Sequence, residues 1–167
     1  MLAEKFTTIF RAEHRRVRDL LLEMMKAARS GDRVGFRARL GQLAALTGPH
    51  FRYEEESLYP ELTAFFTEEY VEKLYGDHDM AIRSALRLAD LAGQGQLSDA
   101  DVQSAVRTLQ SILPHVTDCD GLSILIETLP EDKLRSILET RDRANERGLD
   151  LIAWAEQERD RPLPVAS

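Results

Sequence analysis

Pro49-His50-Phe51-Arg52-Tyr53-Glu54 is the stretch on which the reading of this chain turns. A histidine and a glutamate four positions apart leave the same face of an α-helix, so their imidazole and carboxylate project together. Alone, this pair is common on solvated helices. Its weight comes from the rest of the chain, which holds only four histidines: His14, His50, His78 and His115. The midpoint of His14 and His50 is residue 32, inside the turn Ser30-Gly31-Asp32. That of His50 and His78 is residue 64, where a second change of register falls, and that of His78 and His115 lies just past Gly93-Gln94-Gly95. In an up-down-up-down bundle, residues equidistant from a turn sit at one height, because both antiparallel helices rise ~1.5 Å per residue. The spacing therefore predicts four imidazoles in one layer, one from each helix. One buried histidine is commonly a core residue, but four in a layer is the way a bundle holds a metal between facing helices.

The apolar pattern supplies those helices. Phe6, Ile9, Phe10, Val17, Leu20, Leu21 and Met24 recur at three- and four-residue steps, the period of one helix face. A second series runs from Val34 to Leu62, and a third follows the acidic pair Glu68-Glu69 through Leu91. Ser98 and Asp99 offer a cap for a fourth. Pro114 is expected to kink that helix without ending it, since the period resumes at Leu122. Pro130 suits the first turn of a fifth helix carrying Leu134, Ile137, Leu138, Leu149, Ile152 and Trp154 on one face. Alternating β-branched runs are absent, so strands are not expected. The prediction is an all-α protein: a four-helix bundle over residues 1–128, an added C-terminal helix over 129–160, and a frayed tail over 161–167. The added helix must cover its apolar face against the bundle or in a homodimer contact. His14 to His78 spans 64 residues and His50 to His115 spans 65. Glu13-His14 is echoed by Asp77-His78, and Pro49-His50 by Pro114-His115, so each half reads as one helical hairpin.

The bulk composition narrows the partners. A net charge of −7 disfavours nucleic acid and anionic membrane surfaces. No apolar run approaches the ~20 residues needed to span a bilayer, and no signal-peptide pattern opens the chain. One cysteine, Cys119, precludes an internal disulfide and suits a reducing compartment. The expectation is a soluble, cytoplasmic protein. Nothing resembles a Ser-His-Asp triad, a phosphate-binding glycine loop or a zinc knuckle.

Glu54 is the first carboxylate of the expected site; Glu55 and Glu56 read as a solvated acidic face. The second half offers Asp118, Cys119 and Asp120 near His115. A regular helix aims Asp118 or Cys119 alongside His115, whereas Asp120 needs a local bulge, for which Gly121 gives backbone freedom. Asp120 is preferred and Cys119 is the alternative. Tyr75, one turn before His78, reads as a core tyrosine with the option of facing the site.

These residues resemble the hemerythrin-like family, also called the HHE cation-binding domain. His14, His50 with Glu54, His78, and His115 with Asp120 match the family's helix-by-helix pattern, over roughly residues 5–128. The chain departs from hemerythrins proper in having Leu74 and Ile82 where a second histidine would stand on helix three. It departs from the iron-centre repair branch in having Cys119 where that branch has glutamate. The resemblance implies iron, in two ions, although nitrogen and carboxylate ligands also suit manganese or zinc. It implies His14 and His50 on one metal, His78 and His115 on the other, and Glu54 and Asp120 between them. The implied function is binding or sensing of a small diatomic ligand such as dioxygen or nitric oxide. The alternative is an enzyme of nitric oxide or peroxide reduction, or of iron-centre repair.

Overall fold

A computed structural model describes residues 1–94 and 97–163 of the chain. Helix α1 (Leu2–Ser30) ends on Gly31, whose φ of 72° is the left-handed conformation that closes a helix most readily with glycine. Helix α2 (Arg33–Tyr53) starts on Asp32, whose carboxylate accepts from the Gly35 N–H at 2.8 Å. It runs into a π-helical turn (Glu54–Leu58) and then α3 (Tyr59–Leu62). Thr67 caps α4 (Glu68–Gly93), and Ser98 with Asp101 forms a reciprocal capping box on α5 (Asp99–Ile126). Helices α6 (Glu131–Arg147) and α7 (Leu151–Gln157) follow, and no strand occurs among the described residues.

The four long helices close a ring: α1 packs on α2 and α5, and α4 packs on α2 and α5. Their apolar faces form two clusters. One holds Val17, Leu20, Met24, Leu40, Leu109 and Ile112. The other holds Phe6, Phe10, Tyr53, Leu58, Leu62 and Leu122. His14 falls between Phe10 of one cluster and Val17 of the other, so the histidine layer is sealed by apolar packing on both sides. The expected all-α bundle is what forms, and among the described residues no helix is long and apolar enough to cross a membrane.

Two local expectations are corrected. The C-terminal apolar face belongs to two helices, not one: Gly148, at φ 65°, terminates α6, and Asp150 caps a new start. Pro114 does not end α5, as expected: it lies within a continuous α-helix, as does Pro49 in α2. The helix distortion foreseen beside Gly121 is not there; α5 is regular, and the distortion lies in the π-turn after His50. Gly95 and residues 164–167 of the expected tail lie outside the described residues, while Arg161 is ion-paired to Glu72.

The C-terminal pair covers the bundle. Helix α6 lies on α2 and α1, and α7 lies on α2 and α4. Leu134, Ile137 and Leu138 join the second core cluster, and Trp154 packs with Phe51, Ala81 and Ile82. The α6–α7 junction rests directly on the backbone of α2. A Cβ added at Gly48 would stand 2.3 Å from the Leu149 carbonyl oxygen, so only glycine admits this approach.

Candidate metal centre

All four histidines are buried, at 0–4% exposure, and Glu54 is fully buried between them. The rings pair as the hairpin symmetry predicts, with His14–His50 centroids 4.6 Å apart and His78–His115 centroids 4.9 Å apart. Glu54 spans the two pairs. Its Oε1 lies 3.8 Å from His14 Nε2 and 3.4 Å from His50 Nε2, while its Oε2 lies 3.0 Å from His78 Nε2. Glu54, His78 and His115 form one compact group of ligating atoms; His14, Glu54 and Cys119 form a second that shares the same carboxylate.

The outward Nδ1 atoms are held by the surrounding chain. His14 Nδ1 donates to the Phe10 carbonyl at 2.8 Å. His50 Nδ1 donates to Glu13 Oε2 at 2.8 Å, and His78 Nδ1 to Glu55 Oε1 at 2.9 Å. His115 Nδ1 faces Asp77 Oδ2 at 3.5 Å. Such outer partners fix ring orientation and turn the other nitrogen toward the shared layer. The acids preceding His14 and His78 thus serve the histidine on the next helix: Glu13 holds His50, and Asp77 faces His115.

The electrostatics divides the histidines. Burial pushes His50 down, but the Glu54 charge and the Glu13 hydrogen bond outweigh it and raise its pKa to about 10. Burial also opposes the charged form of His78, and Glu54 and Glu55 again win, raising it. His14 is lowered to about 4 by burial and by the neighbouring His50 charge. Burial lowers His115 as well, against the Asp77 hydrogen bond. Glu54 is held well below the usual carboxylate range, because His50 and His78 outweigh its desolvation.

The donor set fits a bound metal on a second ground. His14 Nε2 and Glu54 Oε1 are both buried without a hydrogen-bond partner. Orphaned polar atoms at a buried site are costly unless something coordinates them. Four imidazoles and a shared carboxylate suit iron, manganese or zinc.

In helix α5 the regular geometry brings Cys119, one turn after His115, into the ligand layer, with its sulfur 3.6 Å from His115 Nε2. Burial and the Glu54 charge push this thiol well above its ordinary range. Asp120 lies outside both compact groups. Its Oδ1 is nonetheless buried without a partner, and it lines an opening shared with His14, Arg15 and Arg18. Asp118 is half-exposed and pairs with Lys73.

Glu55 is not the solvated residue expected; it is buried and clasped by His78 and Arg159, while Glu56 pairs with Arg52 nearer the surface. Tyr75 is half-buried and donates to the Glu55 carbonyl, away from the ligand atoms. Three contributors escaped the sequence reading. Phe51 stacks on His78 with ring centroids 3.7 Å apart. Tyr53 donates to Glu13 at 2.8 Å. Tyr59 places its hydroxyl 2.9 Å from His78 Nε2 and 3.4 Å from Glu54 Oε2. Its backbone N–H bonds to the Glu54 carbonyl, five residues back, so the π-turn stacks Tyr59 over Glu54. The sequence carried no period for this, since an α-helix would put Leu58 there instead.

Fold and site together define a metal-binding helical bundle with histidines on four helices and a carboxylate between them. Comparison with known families places the chain: the hemerythrin HHE cation binding domain matches residues 5–117, and the protein belongs to that family. The match stops before Cys119 and Asp120 and excludes α6 and α7. No curated protein and no solved structure matched the chain.

Proposed function

We propose that the protein holds two iron ions in the histidine layer and uses them to bind or sense a small diatomic gas, dioxygen or nitric oxide. His14 and His50 would hold one ion and His78 and His115 the other, with Glu54 between them. Asp120 is proposed as the second carboxylate, on the strength of its buried, unpartnered oxygen beside the His14 opening. Cys119 is the second reading of that position, favoured by its sulfur standing in the ligand layer.

The observation that carries the ligand class is a cavity of about 30 Å³ against His14, His50 and His115, walled by Leu43, Phe51 and Ile112 among other apolar side chains. A space of that size admits one or two water-sized molecules, and apolar walls favour a dry interior. A neutral diatomic fits; an organic substrate does not. Bound iron would supply an open coordination position and electrons. The chain supplies the dry approach through the apolar walls of this cavity.

The test is anaerobic loading with ferrous iron, metal analysis, and absorption spectra before and after dioxygen or nitric oxide. Two irons per chain and a stoichiometric spectral change without continued gas consumption are expected. A loaded protein indifferent to both gases would refute the proposal. Sustained consumption of nitric oxide or peroxide would make the protein a reductase instead.

A further inference from the structure

Helices α6 and α7 do more than cover an apolar face, because each side of the metal centre is tied to this extension through one arginine. On the first side, Arg141 of α6 donates from Nε to Glu13 Oε1 at 2.8 Å, with a terminal nitrogen 2.6 Å from the same oxygen. The other oxygen of Glu13 accepts from His50 Nδ1. On the second side, Arg159, just past α7, grips both oxygens of Glu55, at 3.0 and 2.8 Å. Glu55 Oε1 in turn accepts from His78 Nδ1. The two chains of contact have the same order: arginine, glutamate, imidazole.

Arg159 is built in. Its side chain is fully buried. It lies over the Trp154 ring at 5.7 Å and has Asp79 Oδ1 2.7 Å away as an ion pair. The extension that carries both arginines is seated on α2 at Gly48, two residues before His50, where no side chain could intervene.

We infer that Arg141 and Arg159 are positioning residues for the metal centre: by clamping Glu13 and Glu55 they fix the imidazoles of His50 and His78 and temper the donor strength of each. A carboxylate on the outer nitrogen makes an imidazole a stronger ligand. A guanidinium on the same carboxylate draws off part of its charge and locks its orientation, most firmly where both oxygens are gripped. The inference rests on the two-metal reading and adds that the chain beyond the family domain sets the properties of each half separately.

The experiment loads the full-length chain with ⁵⁷Fe and compares wild type with Arg159→Gln, Arg159→Lys and Arg141→Gln. Ferrous affinity is measured by chelator competition, together with the midpoint potential and the Mössbauer spectrum. Outer-shell losses typically weaken metal binding by roughly 10- to 100-fold. Arg159→Gln leaves Glu55 free to turn, and the lost orientation of His78, one contact removed from the arginine, is expected to outweigh the stronger donor, weakening one iron by up to about tenfold and moving one of the two Mössbauer doublets. Arg141→Gln is expected to do the same to the other. Potentials should fall, because an unneutralised carboxylate favours the more oxidised metal, and Arg159→Lys should recover part of that fall by restoring the charge. Should Arg159→Gln lose its helical circular dichroism, Arg159→Lys and Arg141→Gln carry the comparison. Unchanged affinity, potential and doublets would overturn the inference, as would both doublets moving together in either variant, since that reports general loosening. A wild type that takes up no metal would overturn the metal reading and this inference with it; a loaded wild type with insensitive variants overturns this inference alone.

Discussion

Lowering the pH from 8 to 6 should weaken metal uptake, because a histidine with a raised pKa must give up a proton to bind. In the metal-free protein His50, raised to about 10, carries a proton throughout that range. A metal on His50 Nε2 must displace it, while the Nδ1 proton stays with Glu13. His14, lowered to about 4, is neutral throughout, and Glu54 is already ionised, so neither releases a proton. One displaced proton makes the dissociation constant rise tenfold per pH unit, hence about a hundredfold over two units, or about 2.7 kcal/mol. The sign follows from the raised pKa: affinity climbs with pH and levels only as the pH passes about 10. His78, also raised, adds up to a second proton for the other metal. Zinc titrated calorimetrically in buffers of differing protonation enthalpy counts the protons without redox complications. Between one and two protons per chain at pH 7.5 are expected, and a third would show that the Cys119 thiol is a ligand. A flat affinity from pH 8 to 6 with no proton released would refute the assignment of His50 as a charged partner of Glu54.

Cys119→Ser should leave metal content and the visible spectrum nearly intact, whereas Asp120→Ala should lower affinity for at least one metal; the reverse pattern, read by metal analysis and absorption, would move the helix-four ligand to sulfur. Gly48→Ala drives a methyl into the Leu149–Asp150 backbone and should cost about 1–3 kcal/mol; an unshifted urea midpoint would show that the junction does not press on α2. Tyr59→Phe removes a hydroxyl from the ligand layer. Metal affinity, read by chelator competition, should fall roughly fivefold, the equivalent of about 1 kcal/mol of lost hydrogen bond to Glu54 and His78, and an unchanged affinity would count against a positioning role.

The fold was legible because its signals are periodic. Three-and-four apolar spacing, the capping residues Asp32 and Ser98, and the mirrored positions of four histidines about the turns all survive in a bare sequence. The echo of Glu13-His14 in Asp77-His78 also holds the outer partners of His50 and His115, a role that a sequence repeat alone does not reveal. What escaped depends on contacts between distant segments. Glu55 looks like any acid in an acidic run until Arg159, 104 positions later, is folded back onto it. The break at Gly148 was hidden because Leu149 and Ile152 continue an apolar spacing that a single helix would also explain.

The π-turn has a consequence for the relation between the two halves of the chain. Leu58 follows His50 by eight residues and Leu122 follows His115 by seven, yet both leucines end in one apolar cluster. The interval after His50 holds a π-turn, which takes one residue more per hydrogen-bonded turn than the regular helix after His115. Within that longer interval three successive glutamates face three ways: Glu54 into the histidine layer, Glu55 across to His78, and Glu56 out to Arg52. The shorter interval has no such fan and presents Cys119 to the layer in their stead. Two hairpins that differ by this π-turn present different side chains to the histidine layer, a glutamate from one and a cysteine from the other.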